Sequence, residues 1–346
     1  SIESGLINKD DINRSLKKAL LFDKQKDIQI YNLNIDKIYD KDEILRLINK
    51  RFNIDKIPYN NLADTYSINI DEYEDIGYVE ILEENSNGKV EKLRLIFAKQ
   101  MKYSTKEESD VLDNSYFPID IDFKSKRMIV KYYNKNHLKG DLRGEGIAYK
   151  YANDIIEIFN IELGNSEQTL YQRGLYNICN HILNNVINEK SNLILENIEE
   201  LVNDFSKNIK EKLLPNVDTD KLLQEYEKDV FNVNKQINKL IENICISKVI
   251  HEANDRNIMS VDGIISHITY KEAGNVKATL QKPSKIQNLV DSQSYLNLRT
   301  VLDEKKFIQE IKMIWNTGDI HISLRYDASK KEYISIKFYR KYGDED

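Results

Sequence analysis

Between residues 66 and 133 apolar side chains recur at every second position, a period that only an extended strand with one buried face satisfies. Five strands are predicted there: SINIDEY, GYVEILEE, VEKLRLIFAK, YFPIDIDF and RMIVKYY. Asn87-Gly88 separates the second from the third, and Lys124–Lys126 the fourth from the fifth. Both are short enough for hairpins, so the expectation is an antiparallel meander. The polar segment MKYSTKEESDVLDNS reads as an exposed loop or a short helix.

Other periods flank this sheet. Ile12, Leu16, Ala19 and Leu20 share one face of a helix over roughly 10–22, and DIQIYNL follows as a strand. Asp40 with Glu43 three residues on is a capping box opening ILRLINKRF, a unit that Pro58 ends. After Gly146 the pattern turns helical for about 110 residues. Within it, Ile194 through Leu213 and Leu223 through Ile244 mark two helices on either side of Pro215. The second carries a seam of alternating three- and four-residue steps, as in a coiled coil. An antiparallel helical hairpin over 191–257 is expected, packed within the molecule or projecting as an arm that pairs chains. In the last segment IISHITY and NVKATLQ predict a hairpin, FIQEIKMIW a helix, and DIHISLRY with EYISIKFYRK a second hairpin. The fold class is therefore α+β, in parts 1–146, 147–257 and 258–346.

Composition narrows function mainly by exclusion. With 51 basic and 57 acidic residues the net charge is −6, unlike a globally basic histone-like binder. Two cysteines, Cys179 and Cys245, make no disulfide framework and sit in apolar helical surroundings, as small buried hydrophobes do. No stretch approaches the ~18 apolar residues of a membrane span, and the start lacks a secretory pattern, so a cytoplasmic setting without membrane partners is expected. Abundant Ile, Asn, Lys and Tyr point to AT-rich coding DNA, which weakens any functional reading of Lys or Tyr content.

Local charge says more. Residues 71–85 hold seven acids and no base, whereas residues 124–150 carry a surplus of six positive charges. A confined positive field attracts phosphates even on an acidic protein. Lys126, Arg127, Lys131, Lys139 and Arg143 are the candidate phosphate contacts, with Gly140, Gly144 and Gly146 ahead of a helix start. On the terminal hairpin Ile334, Ile336 and Phe338 are expected to face the core, leaving Tyr333, Ser335, Lys337, Tyr339 and Lys341 outside. Arg325, Lys337, Tyr339 and Lys341 would then extend the nucleic-acid surface.

Catalytic signals are sparse. Asp120, Asp122 and Lys124 share a strand face and match half of a metal-dependent nuclease site, in which two acids hold Mg²⁺ and the lysine polarises water. His251-Glu252 begins a zinc-protease-like string, but Asp255 stands where the second histidine belongs. The leading expectation is a nucleic-acid-associated, non-catalytic accessory protein of a bacterial DNA-processing or phage-defence assembly, needing no cofactor. One alternative is the Mg²⁺-dependent nuclease at Asp120, Asp122 and Lys124. Another is a protein-interaction scaffold, or self-association, built on the 191–257 hairpin.

Overall fold

The computed structural model describes residues 8–22, 27–67, 74–103, 111–133, 143–163, 167–188, 263–271, 277–281, 289, 292–316 and 321–342, with single helical positions at 204, 208, 212, 240, 243 and 244. Contacts divide the chain into two compact units, one of residues 1–171 with 324–340 and one of residues 172–323 with 341–346. The architecture is α+β.

The first unit opens with α1 (Lys9–Phe22), β1 (Asp27–Asn34), α2 (Lys41–Phe52), β2 (Tyr59–Asn60) and α3 (Leu62–Ser67). Strands β3 (Glu74–Glu84), β4 (Val90–Tyr103), β5 (Val111–Asp122) and β6 (Arg127–Tyr132) then pair antiparallel in chain order, four of the five strands expected of the meander. The first, SINIDEY, lies outside the described residues except for Ser67, which ends α3, and the expected loop at MKYSTKEESDVLDNS is strand at 101–103 and 111–115. Next come α4 (Gly144–Ile158), β7 (Glu162–Leu163) and the start of α5 (Glu167–Asn188). The end of β11 (His321–Asp327) and β12 (Ile334–Tyr342) complete the unit. The sheet order is β2-β3-β4-β5-β6-β1-β12-β11. Strand β1, early in the chain, thus lies antiparallel between β6 and β12.

Local chemistry sets the turns and caps. Asn85 accepts from the backbone of Asn87 and Lys89 at 3.0 Å each, and Gly88 takes the positive φ of 69° that the β3–β4 turn demands. Asp122 caps the β5–β6 turn by accepting from Ser125 N at 2.7 Å. The capping box of α2 is complete: Glu43 N donates to Asp40 at 2.8 Å and Asp40 N to Glu43 at 3.3 Å.

Helices cover the sheet on both faces. Ile44 and Ile48 of α2 and Ile147, Tyr151 and Ile155 of α4 bury against Leu93, Leu95, Phe97, Phe117, Ile119, Met128 and Val130. Phe97 and Tyr151 stack with centroids 4.5 Å apart and planes 12° apart. On the opposite face, Leu16, Leu20 and Leu21 of α1 and Leu62 of α3 pack on Tyr78, Ile96 and Tyr116. Gly77 lets α3 approach: a Cβ there would meet Leu62 Cδ2 at 3.0 Å.

The parity expected of β12 is reversed. Tyr333 and Ser335 are buried on the face that α4 covers, while Ile334, Ile336 and Phe338 are only half-buried on the other. Tyr333 tolerates burial because its ring packs on Tyr31 at 5.2 Å and its hydroxyl donates to Glu145 at 3.2 Å. Alternation identifies two faces but not which one is covered.

The second unit contains the rest of α5, β8 (Gly263–Lys271), β9 (Lys277–Gln281), α6 (Gln293–Lys305) and β10 (Glu310–Asn316). The β8–β9 hairpin is as expected. The helix expected at FIQEIKMIW is instead β10, antiparallel to β8. Ile308, Ile311 and Ile314 mimic helical spacing, but Ile311 and Met313, two residues apart, are fully buried as one strand face, and the irregularity in the pairing falls on β8, where Ser266 is the extra residue. Helix α6 escaped notice: Ser292 caps it by accepting from Tyr295 N at 3.2 Å, and Lys306 ends it in the left-handed conformation. The 191–257 hairpin lies outside the described residues apart from the isolated positions given above, and the structure lends it no support. No helix among the described residues is long and apolar enough to cross a membrane.

Candidate nucleic-acid interface

The basic window does not gather into one patch. Lys124 pairs with Glu91 at 3.1 Å, Lys126 with Asp36 at 3.0 Å and Lys131 with Asp120 at 3.8 Å. Lys150 pairs with Glu74 at 2.5 Å and Lys337 with Glu145 at 3.1 Å. Arg325 lies 4.0 Å from Asp327. Tyr339 is exposed, whereas Lys139 and the side chain of Lys341 lie outside the described residues. The pair of Lys126 and Asp36 is itself open to solvent, and such pairs are worth little, so a polyanion can displace the carboxylate.

Arg127, Arg143 and Lys330 are exposed and keep no ion-pair partner among the described residues, a state they share with other surface bases such as Lys18, Lys41 and Lys331. Arg127 stands at one end of β6, with the parity opposite to the buried Met128, Val130 and Tyr132. Arg143 and Lys330 meet elsewhere, at the N-terminus of α4, where they flank a cleft of about 470 Å³.

The cleft grows from the start of α4. Arg143 is the N-cap residue and offers no side-chain cap, so the first turn keeps backbone donors that a helix normally satisfies with a ligand, water or side chain. Gly146 and Tyr149 form one wall; Glu332 and Tyr333, from the connection into β12, form the other with Lys330. The rings of Tyr149 and Tyr333 lie 5.8 Å apart at 42°. Below them Glu145 is held from three sides. Its carboxylate accepts from Tyr333 at 3.2 Å and Lys337 at 3.1 Å, and its backbone carbonyl accepts from Gln29 at 2.9 Å. Gln29 in turn accepts from the Tyr31 hydroxyl at 2.7 Å.

Burial first, and then the Glu145 charge, hold the Tyr333 hydroxyl far above the ordinary tyrosine range. Tyr132 is raised by the same two causes, so both remain protonated at physiological pH. The cleft thus presents two cations, the Glu332 carboxylate, the start of α4 and two tyrosine rings over a fixed polar floor. That combination suits a phosphate with an adjoining planar group.

Sequence reasoning located Arg143 and the neighbouring glycines but not Tyr149, Lys330 or Glu332. Lys330 lies in a turn that reads only as a hairpin connection, and its nearness to Arg143 depends on β12 lying beside β1, about three hundred residues away in the chain.

The nuclease candidates are engaged elsewhere. Asp120 is gripped by Arg94 through two hydrogen bonds of 2.5 and 3.0 Å, Asp122 caps a turn, and Lys124 reaches Glu91. Among the described residues no group of three His, Cys, Asp or Glu is placed to hold a metal ion. Comparison with known proteins gives no match: no family model fits the chain, and no curated protein or solved structure proves similar to it.

Proposed function

We propose that the chain is a nucleic-acid-associated, non-catalytic binding protein that takes one phosphate and its adjoining nucleoside in the cleft at the start of α4. The observation that supports this reading is the placement of Arg143 and Lys330: neither is in an ion pair among the described residues and they border one cleft with two tyrosines, whereas Lys126, Lys131 and Lys337 of the expected surface face carboxylates. Contact with so few phosphates implies weak binding, and the net charge of −6 opposes it further, which fits an accessory protein acting beside a partner. A role in a bacterial DNA-processing or phage-defence assembly is the setting we favour.

Fluorescence anisotropy with single- and double-stranded oligonucleotides over a salt series tests the reading. One neutralised phosphate predicts a slope of log K against log salt of about −1, and Arg143→Ala with Lys330→Ala should abolish binding. Affinity that ignores salt, or that persists in the double variant, would overturn it. Magnesium enters only with the nuclease alternative, and the Arg94–Asp120 pair argues against that reading by occupying the carboxylate that the metal would need.

A further inference from the structure

A second cavity, of about 430 Å³, lies in the first unit between the end of α2, the start of β3, β4 and α4. Its floor is aromatic: Phe97 stacks on Tyr151, and Phe52 stands edge-on to Phe97 at 5.4 Å. Its rim is mostly acidic, with Glu74, Asp75 and Asp154 set against the single guanidinium of Arg51. The C-terminal end of α2, closed by Asn53, adds partial negative charge.

Two groups here are incompletely satisfied. Tyr151 is 1% exposed, and its buried hydroxyl has the Glu74 carboxylate near it but no hydrogen bond of good geometry. Buried hydroxyls without partners are costly, and one that persists in a cavity wall asks for an explanation. Asp154 is 18% exposed, yet among the described residues its ion-pair partner is Arg51 at 3.6 Å, beyond hydrogen-bond reach. Glu74 differs, being held by Lys99 at 2.9 Å and Lys150 at 2.5 Å. Arg51 already shows the chemistry of the place, its guanidinium 5.5 Å from the Phe52 ring centroid.

We propose that this cavity binds an organic cation, an alkylguanidinium or alkylamine, whose head pairs with Asp154 and donates to the Tyr151 hydroxyl while its apolar stem lies on Phe52 and Phe97. An anion would meet Asp75 and Asp154, beside a Glu74 already paired with two lysines, and the electron-rich faces of the rings. A neutral apolar ligand would leave both Asp154 and Tyr151 unpartnered. Arg51 competes for Asp154 and must swing aside, which its exposure permits. The cation belongs to a free small molecule or to an arginine or lysine side chain of another protein; the chemistry is the same.

Saturation-transfer NMR on the full chain tests this with butylguanidinium, its neutral isostere butylurea, and an acetyl-Gly-Arg-Gly-amide tripeptide. Butylguanidinium should bind roughly tenfold or more tightly than butylurea, and Asp154→Asn should erase that preference. Arg51→Ala should strengthen binding by removing the competitor. Tyr151→Phe should weaken binding several-fold without lowering the melting temperature, because it deletes an unpaired hydroxyl and keeps the ring. Given that preference, a tripeptide that binds at least as tightly as butylguanidinium assigns the ligand to a protein side chain, and a weaker one assigns it to a free cation. Equal affinity for butylguanidinium and butylurea, binding of neither, or a preference that survives Asp154→Asn would overturn the proposal.

Discussion

Arg94 and Asp120 face each other across β4 and β5 and share two hydrogen bonds, Nε to Oδ1 at 2.5 Å and Nη2 to Oδ2 at 3.0 Å. Glu80 lies opposite Arg94 on the other side, and Lys131 reaches Asp120 at 3.8 Å from β6. Four strands thus carry alternating charge across one sheet face. Each carboxylate is bounded by cations, and this pairing explains why acidic and basic runs separated in sequence leave little net field in the fold.

The ladder predicts an asymmetry between single and double substitution. Arg94→Leu or Asp120→Leu alone leaves a half-buried charge without its bidentate partner and should cost about 2 kcal/mol. The double variant should cost at least ~1 kcal/mol less than the sum of the two. Urea unfolding of the four proteins measures this; strict additivity would show that the pair contributes nothing as a pair.

Glu145 supports the floor of the α4 cleft. Glu145→Ala would strand the buried Tyr333 hydroxyl and leave the half-buried Lys337 without its carboxylate, a loss of about 2 kcal/mol by denaturant unfolding. Tyr333 and Lys337 donate to separate oxygens of the carboxylate, so Glu145→Gln keeps an acceptor for one of the two and should recover roughly half of that. If Gln is no better than Ala, the floor is held by packing and not by these hydrogen bonds.

Features governed by neighbours in sequence were legible in advance: the capping box of Asp40 and Glu43, the Asn87-Gly88 turn and the order of the meander all rest on residues a few positions apart. What was hidden depends on distant contacts. The alternation in β12 is real, but only the docking of α4, through Glu145, decides that Tyr333 and not Ile334 is covered. The strand at β10 reads as a helix because Ile308, Ile311 and Ile314 are all buried at helical spacing, while the pairing with β8 that makes it a strand comes from residues some forty positions away. The cationic window is visible in sequence, but Lys126 meets Asp36 and Lys337 meets Glu145 across 90 and 192 residues, so its neutralisation is not.

Cys179 offers a probe of the second unit. It is 1% exposed, and burial alone pushes its thiol well above the usual range, so thiolate is scarce as well as inaccessible. In a Cys245→Ala background, a thiol reagent should label Cys179 only at the rate at which the unit opens, and at full speed in denaturant. Immediate labelling under native conditions would place the thiol at the surface.

Acid should unfold the first unit through Glu74 and Glu80. Burial pushes both carboxyls up, but hydrogen bonds from Lys150 and Lys99 to Glu74, and from Lys17 and Tyr78 to Glu80, outweigh it and hold both below the ordinary glutamate value of 4.5. A group whose folded pKa lies below its unfolded one contributes its full stabilisation above the unfolded value and loses it as pH falls through the folded one. Stability should therefore be flat from about pH 7 to about pH 5 and fall below about 4.5. Glu74→Gln with Glu80→Gln should be less stable at pH 7 yet lose less between about pH 4.5 and pH 3, because the proton-linked part is gone. Unfolding midpoints along that pH series decide it: parallel curves for the two proteins would mean that other carboxylates carry the acid sensitivity.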